Sequence, residues 1–271
     1  MRLGIALPLN FGDTPDGDVI SRGARAAEEH GFDSVWFFDS IGRGRFSLDP
    51  LIAAAAAAAA TERVEVGIGI LQAPLRHPVE LANRVLTTQL LCEGRLLLGV
   101  GSGSTRVDFL AVDKNFDDRM QLLTRSLAVM RRLWNGRTVN DISLNPAPAV
   151  AGGPPVIIGS WAGPRWINTA AEEYDGWIAS GFFSGFDTLR AGLDRYREAG
   201  GTRAIVTNIS IDLDAPTEPL ADSDNAFHLR CAPEAAAERL RKLAGAGFDD
   251  AVVVHRGDGP PNLAAIRALA R

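Results

Sequence analysis

The feature that most constrains the fold of this chain is a regular alternation of short apolar runs with longer amphipathic segments. The apolar runs cover residues 3–8, 34–38, 64–70, 96–100, 156–159, 177–180, 204–211 and 251–254. Short apolar runs of this kind are typical of strands that are buried on both faces, and a segment of helical periodicity follows each one. Eight such units in 271 residues predict a single (β/α)8 TIM barrel spanning residues 1–271. The alternative, an open doubly wound sheet, leaves unpaired edge strands.

The predicted helices start at residues that suit helix N-termini. Proline stands at or near the start of five of them, at positions 50, 78, 164, 233 and 261, and proline is favoured there because its missing N–H group has no helical partner. The second helix contains eight consecutive alanines, residues 53–60, which let a helix lie close to a sheet. An irregular excursion, residues 136–154, separates the fourth helix from the fifth strand. It is compatible with a lid or with a passive connection.

Charge and composition argue against several classes of function. The net charge of −5 and the pI near 5.4 disfavour nucleic acid and acidic membrane surfaces as partners. The two cysteines and four histidines show no metal-binding spacing, so we expect neither a disulfide nor a metal site. No apolar run is long enough to cross a bilayer, and the N-terminal sequence resembles a strand rather than a signal peptide. The sequence therefore predicts a cytoplasmic protein.

The functional groups of a (β/α)8 barrel lie where its strands end, at their C-terminal side. Asp39 and Ser40 follow the second predicted strand, and His255 follows the eighth, where it is either functional or an ordinary rim residue. The glycine-rich residues 99–104 follow the fourth strand and include Ser102, Gly103 and Ser104. Aromatic side chains near the strand ends favour a flat conjugated ligand: Phe11, Phe37, Phe38, Phe182 and Phe183.

The glycine-rich residues 99–104 do not match a dinucleotide motif well. Their pattern is GxGxG rather than GxGxxG, they follow the fourth strand, and no helix is predicted directly behind them. They are better suited to letting a ligand lie close to the backbone. No Walker A sequence occurs. No GxSxG elbow occurs either, and its absence disfavours a serine hydrolase.

The fifth strand ends at Gly159-Ser160, shortly before a helix start at Pro164. Backbone N–H groups, a hydroxyl and the positive end of a helix then point at one spot, which suits a phosphate. An ordinary βα turn capped by serine is the alternative. Arg119 lies one turn into the fourth predicted helix, and its planar guanidinium either reaches this phosphate or pairs with Asp117 or Asp118.

Four blocks of this sequence resemble the bacterial luciferase-like family of flavin- and deazaflavin-dependent oxidoreductases. They are GARAAEEHGFDSVWFFDS at residues 23–40, RHPVELANRVLTTQLLCEGRLLLGVGSG at 76–103, PPVIIGSWAGPRWINTAAEEYDGWI at 154–178 and CAPEAAAERLRKLAGAGFDDAVV at 231–253. The resemblance implies a barrel that binds FMN or the deazaflavin coenzyme F420 at its mouth, as a homodimer.

The resemblance also implies a set of cofactor-binding residues. Arg119 and Ser160 correspond to phosphate ligands, with Gly159 and Gly163 in the same turn and Ser102-Gly103 in the glycine loop. The third strand matches a family segment in which a non-proline cis peptide bond lies behind the isoalloxazine ring. Gly69-Ile70 is the predicted position of that bond.

The chain departs from the family at two positions that handle protons. Many relatives have a histidine after the acidic residue that ends the second strand, where this chain has Asp39-Ser40. Several deazaflavin enzymes have a glutamate after the strand-four glycines, where this chain has Ser104. Asp39, Ser40, Ser104 and His255 are therefore the candidate catalytic residues, with Asn10 as a further substitute.

The resulting prediction is hydride transfer between a bound flavin-type cofactor and a small organic substrate. F420 is slightly favoured over FMN because arginine greatly outnumbers lysine, which occurs only at Lys114 and Lys242. That composition indicates a GC-rich genome, typical of bacteria that make the deazaflavin. The alternatives are an FMN-dependent monooxygenase, a flavin-binding barrel without catalysis, and an isomerase or lyase acting on a phosphorylated metabolite.

Overall fold

Eight parallel strands close into a barrel in the computed structural model, which describes residues 1–7, 16–41, 43–44, 46–160, 164–257 and 259–270. The order round the barrel is β1-β2-β3-β4-β5-β6-β7-β9, and β9 pairs with β1 to close the ring. The predicted TIM barrel is confirmed. The strands are β1 (Arg2–Ala6), β2 (Ser34–Phe37), β3 (Glu65–Gln72), β4 (Leu96–Gly101), β5 (Val156–Gly159), β6 (Gly176–Ser180), β7 (Ala204–Asp212), β8 (His228–Arg230) and β9 (Asp250–His255).

Helices follow the barrel strands, as the sequence predicts. They are α1 (Val19–Glu29), α2 (Pro50–Ala59), α3 (Pro78–Leu91), α4 (Arg106–Leu110), α5 (Arg119–Trp134), α6 (Pro164–Glu173), α7 (Phe186–Glu198), α8 (Pro233–Ala246) and α9 (Leu263–Ala268). None of the helices in the described ranges is both long enough and apolar enough to span a membrane.

Two short elements differ from the sequence prediction. The single-turn helix α4 begins soon after the glycine loop, where no helix was predicted, because five residues are too few for a helical period to show. Strand β8 is three residues long and pairs in parallel with the last residues of β7, beyond the end of β6. It lies outside the closed ring of eight strands.

The barrel interior forms an apolar layer of its own, separate from the larger core between the strands and the helices. Trp36 occupies much of this interior, and a Cβ atom at Gly67 would lie 2.4 Å from its ring. Glycine at that position therefore leaves room for the indole. The inner layer closes the barrel beneath the C-terminal strand ends, and its fully buried members are Ala6, Trp36, Leu97, Ile157, Ile178, Ile205 and Val252.

The alanine-rich helix α2 packs against the sheet as the sequence predicts, with Ala53, Ala54, Ala57 and Ala58 buried. Asp49 caps it by accepting hydrogen bonds from the backbone N–H groups of the second and third helical residues. Side chains without rotatable bonds allow this close approach at almost no entropic cost.

The irregular excursion, residues 136–154, packs against neighbouring helices. Its Gly152 N–H donates to the carbonyl of Trp134 at 2.9 Å, and its Val150 is buried. The Trp134 indole in turn donates to the carbonyl of Ala82 in α3. The excursion thus packs against α3 and α5, and none of its residues lines the cavity described below. Of the two alternatives, the structure supports the passive one.

Charged side chains cluster at the N-terminal ends of the strands. Arg203 bridges Glu65 and Asp250, and Arg2 also contacts Glu65. Burial alone would raise the pKa of Glu65, but the hydrogen bonds from Arg203 and Arg2 outweigh it and lower that pKa. Charges at this end of a TIM barrel contribute to stability, since the chemistry is located at the opposite end.

Candidate functional site

A cavity of about 460 Å³ opens at the C-terminal ends of strands β3 to β7. Its lining combines apolar side chains with glycines that expose the backbone and with hydroxyl side chains. The lining residues are Gly69, Ile70, Gly101, Ser102, Gly103, Ser104, Phe116, Arg119, Met120, Leu123, Gly159, Ser160, Trp166, Ile178, Ala179, Ser180, Thr207 and Asn208.

The cavity floor contains a cis peptide bond between Gly69 and Ile70, at the position that the sequence resemblance predicted. Ile70 lies on top of the inner apolar layer and projects between β4 and β5. A Cβ atom at Gly101 would lie 2.9 Å from Cδ1 of Ile70, and one at Gly159 would lie 2.4 Å from its Cγ2. Glycine at both positions therefore lets the two strands pack round Ile70 and leaves their backbone exposed to a ligand.

Arg119 reaches this cavity from the first turn of α5. Its guanidinium stacks over the ring of Phe116 at 4.1 Å and donates from Nη1 to the Phe116 carbonyl at 3.2 Å. Among the described residues it has no carboxylate partner, because Asp117 pairs with Arg106 instead, at 3.0 Å. Within the described structure, the surface ion pair considered from the sequence is therefore not formed, and most donors of the Arg119 guanidinium make no hydrogen bond there.

Ser160 lies directly after β5, and its backbone is fixed on both sides. Its N–H donates to the carbonyl of Ile178 at 3.1 Å, and its own carbonyl accepts from the Trp177 indole at 3.0 Å. Ser160 and Arg119, predicted from distant parts of the sequence, therefore line one cavity. Gly163 lies outside the described residues, and so does Asn10.

The glycine loop after β4 supplies a further side of the cavity through Ser102, Gly103 and Ser104. Gly103 has a positive φ of 80°, and a Cβ atom there would lie 2.5 Å from Oε1 of Gln72. Both the backbone conformation and the lack of space require glycine. The loop therefore presents main chain and small hydroxyls, as the sequence pattern indicates.

Three of the predicted catalytic residues do not line the cavity. Asp39 accepts two hydrogen bonds from Arg76, at 2.5 and 3.0 Å, and its side chain is only 1% exposed. Ser40 is hydrogen-bonded to Ser47, and His255 ends β9 on the rim. Arg76 lies four residues after the end of β3 and contacts the end of β2. Asp39, which follows β2, therefore forms an ion pair with it. Of the four candidates, only Ser104 faces the cavity.

A buried polar network crosses between the loops that follow β2, β3 and β4. Arg43 pairs with Asp108, whose side chain is fully buried, at 2.6 Å. Gln72 donates from Nε2 to the same carboxylate and to the carbonyl of Asp39. Since these contacts join three loops, they fix the edge of the cavity mouth between the β2 and β4 loops.

The sequence interpretation missed the β6–β7 side of the cavity. Ser180 was assigned to the strand itself, and Thr207-Asn208 lie within an apolar run. The register of β7 against β9 shifts between Val206 and Ile209, and Asn208 has a positive φ of 56°. This bulge turns polar side chains towards the cavity. A pair of polar residues inside an otherwise apolar strand is the sequence feature that could have indicated it.

The aromatic lining also differs from the prediction. Phe116 and Trp166 line the cavity, whereas Phe37 is buried in the outer core and Phe182 and Phe183 are exposed on the rim. Phe37 faces the helices because side chains alternate along a strand and its neighbour Trp36 occupies the interior. Phe11 lies outside the described residues.

Comparison with known proteins identifies the family. The sequence profile of the luciferase-like monooxygenases matches residues 1–214. The chain belongs to the luciferase-like monooxygenase family. Within this family, the chain is similar to the F420-dependent hydroxymycolic acid dehydrogenase of Mycobacterium tuberculosis, with 28% identity over 65% of the chain and 58% of the relative. It is also similar to 4-hydroxyprotoasukamycin monooxygenase of Streptomyces nodosus, with 30% identity over 54% of the chain and 42% of the relative.

These first relatives of the luciferase-like family are longer proteins, and the chain spans about half of their length. Solved structures cover the chain more fully. An F420-dependent secondary alcohol dehydrogenase in complex with an F420-acetone adduct has a TM-score of 0.76 and 16% identity, over 99% of this chain and 97% of the other. Monooxygenase RslO1 from Streptomyces bottropensis has a TM-score of 0.79 and 20% identity, over 99% of this chain and 96% of the other. At these identities the structures establish the shared barrel.

Side chains that could ligate a metal ion do not cluster in the described part of this chain. Within the described ranges, no group of three or more histidine, cysteine, aspartate or glutamate side chains is placed to hold a metal ion. Both cysteines are buried, and burial raises the pKa of the Cys92 thiol to about 11. The polar groups of the described cavity lining are hydroxyls, backbone amides, the side-chain amide of Asn208 and one guanidinium.

Proposed function

We propose that this protein is an oxidoreductase that binds a flavin-type cofactor in the cavity and transfers hydride between that cofactor and a small organic substrate. The observation that carries the proposal is the placement of Arg119, a cation without a carboxylate partner among the described residues, in one cavity with Ser160 and the Gly69-Ile70 floor. A guanidinium and a hydroxyl are suited to a phosphate, and a glycine-lined floor is suited to a flat ring.

The residues present fit such a cofactor. Arg119 and Ser160 would hold its phosphate, with the backbone at Gly159 beside them, and Gly69-Ile70 with Ser102-Gly103 would hold its ring. When bound, the cofactor supplies the redox chemistry itself. The contribution of the chain is to orient the ring, to exclude water through Phe116, Met120 and Leu123, and to offer hydroxyl groups as hydrogen-bond partners.

F420 is the cofactor that we favour. Several relatives of similar sequence are named F420-dependent dehydrogenases, including the F420-dependent glucose-6-phosphate dehydrogenase of Rhodococcus erythropolis, 28% identical over 79% of the chain and 66% of the relative. FMN is the alternative, and with it a monooxygenase, as in the Streptomyces nodosus relative. An isomerase or lyase is disfavoured because no acid and base pair lines the described part of the cavity.

Binding of the cofactor is the first testable prediction. We expect FMN or F420 to bind the protein saturably, with a dissociation constant below roughly 100 µM, the order of magnitude needed for a working site. Quenching of ring fluorescence on titration measures it. Turnover of the reduced cofactor with an added acceptor separates an enzyme from a flavin-binding barrel without catalysis. If neither cofactor binds, the proposed function is wrong.

We also propose that the chain forms a homodimer. In its support, Ile52 of α2 and Leu90 and Leu91 of α3 expose more than half of their surface, on two helices that pack side by side. Adjacent exposed apolar side chains of this size are typical of interfaces. Sedimentation equilibrium is expected to give twice the chain mass, and Leu91→Glu is expected to shift it towards the monomer. A wild-type monomer at all concentrations would contradict the proposal.

Location in the cytoplasm stays a prediction.

A further inference from the structure

The cavity has a second polar sector that the proposed phosphate site does not use. It consists of Ser180 at the end of β6 together with Thr207 and Asn208 of β7. Arg119 and Ser160, in contrast, follow β4 and β5. The two sets of residues therefore approach the cavity from different strands of the barrel.

Ser180 provides a buried hydroxyl that has no partner in the described structure. The residue is 4% exposed, and its Oγ atom has no hydrogen-bond partner among the described residues. Because side chains alternate along a strand, Ser180 points to the same interior as Ile178, one layer above it. Buried hydroxyls are nearly always paired, so this one is matched to a group that enters the cavity.

The position of that hydroxyl is fixed by the surrounding backbone. Gly181 donates from its N–H to the carbonyl of Thr207 at 2.8 Å, and Phe227 donates to the carbonyl of Gly181 at 2.7 Å. The Thr207 hydroxyl donates to the carbonyl of Ala179 at 3.3 Å, which occupies its proton. Asn208 makes a single side-chain hydrogen bond in the described structure, a long one of 3.4 Å to Thr207. Ser180 and Asn208 are thus the free polar groups of this sector.

The charge of the cavity restricts what this sector can bind. Among the described lining residues, Arg119 is the one ionisable side chain. If Arg119 binds the phosphate of the cofactor, no second cation in the described lining remains to balance an anionic substrate. Burying an unpaired anion is strongly unfavourable.

We propose that Ser180 and Asn208 bind the oxygen of an uncharged ketone or alcohol, and that phosphorylated and carboxylate compounds are excluded from this cavity. The inference rests on the proposed function, because it assigns Arg119 to the cofactor. It separates this chain from relatives that are named glucose-6-phosphate dehydrogenases.

The test is a binding experiment on the full chain loaded with the oxidised cofactor. Cyclohexanone and cyclohexanol serve as uncharged probes, and cyclohexanecarboxylate and glucose 6-phosphate serve as anionic ones. The absorbance of the bound cofactor and the melting temperature of the complex report binding. We expect saturable binding of at least one uncharged probe and none of either anionic probe over the same concentration range.

Substitution of the hydroxyl gives a second arm. Ser180→Ala is expected to weaken binding of the uncharged probe by about tenfold, the size of one hydrogen bond, and Ser180→Thr, which keeps the hydroxyl, is expected to restore it. Ser184→Ala is the matched control, because Ser184 is also buried with an unpartnered hydroxyl but does not line the cavity. We expect that variant to bind the probes like the wild type.

The outcomes separate this inference from the proposed function. If neither cofactor binds the wild type, both fail. If the cofactor binds but an anionic probe binds as tightly as the uncharged ones, or no uncharged probe binds, this inference alone is wrong. It is also wrong if Ser180→Ala binds the uncharged probes as the wild type does.

Discussion

Arg119→Ala is expected to weaken binding of the phosphate-bearing cofactor by about 2–3 kcal/mol, or roughly 30- to 150-fold in Kd. The guanidinium is already stacked on Phe116, so little entropy is lost when it engages a phosphate. Since Arg119 has no carboxylate partner in the described structure, its removal leaves no buried charge behind, and the melting temperature of the apoprotein should change little. Fluorescence titration gives the affinity, and thermal unfolding gives the stability.

Arg106 provides the matched control for this variant. Its guanidinium also lies near Phe116, 4.8 Å from the ring centroid. In contrast to Arg119, Arg106 pairs with Asp117, is largely exposed and does not line the cavity. Arg106→Ala removes the same charge from the same region of the surface. We expect its cofactor affinity to stay within about twofold of the wild type, the effect of one screened surface charge. Equal losses of cofactor affinity in both variants would show that Arg119 does not bind the phosphate.

Arg76→Met is expected to lower the free energy of unfolding by about 3–5 kcal/mol, the usual cost of removing one partner from a buried ion pair. The Asp39 side chain is 1% exposed and, among the described residues, would keep only the backbone N–H of Gln72 as a donor. Burial alone would lower the pKa of Arg76, but the hydrogen bonds with Asp39 outweigh it and raise that pKa, so Arg76 stays charged. Chemical denaturation measures the change.

Two further variants test whether the ion pair explains that loss. Arg84→Met removes a comparable arginine that pairs with Asp49 at 2.6 Å but whose side chain is 31% exposed, and it should cost about 1 kcal/mol or less. Adding Asp39→Asn to Arg76→Met removes the stranded carboxylate and should recover a large part of the stability. If Arg76→Met and Arg84→Met are equally stable, the buried pair does not have the role assigned to it here.

The barrel could be predicted from the sequence because its evidence is local. Eight apolar runs, each followed by a helical segment, leave few other architectures open, and the strand-end rule then selects which residues meet. This rule selected Ser104 and Ser160, whereas Arg119 was proposed from the reach of a guanidinium in the first turn of the following helix; the structure places all three in one cavity. The cis bond at Gly69-Ile70 was predicted by resemblance rather than by any property of the residues themselves.

What could not be predicted depends on contacts between distant parts of the chain. Asp39 has the position of a catalytic residue in the sequence, but its pairing with Arg76, 37 residues away, is visible only in three dimensions. Asn208 faces the cavity because of a bulge, which shifts the direction of the side chains without changing the apolar pattern. Ser180 was overlooked because it belongs to the strand and not to the loop behind it.

The most direct test of phosphate binding at Arg119 and Ser160 is a comparison of wild-type affinities. FMN is compared with riboflavin, and F420 with its phosphate-free deazariboflavin core. Each pair shares its ring system, and the ligands differ in the phosphate-bearing tail that Arg119 and Ser160 are proposed to hold. We expect one phosphate-bearing cofactor to bind at least about tenfold more tightly than its counterpart, and Arg119→Ala to reduce this difference. Equal affinities within each pair would contradict this expectation.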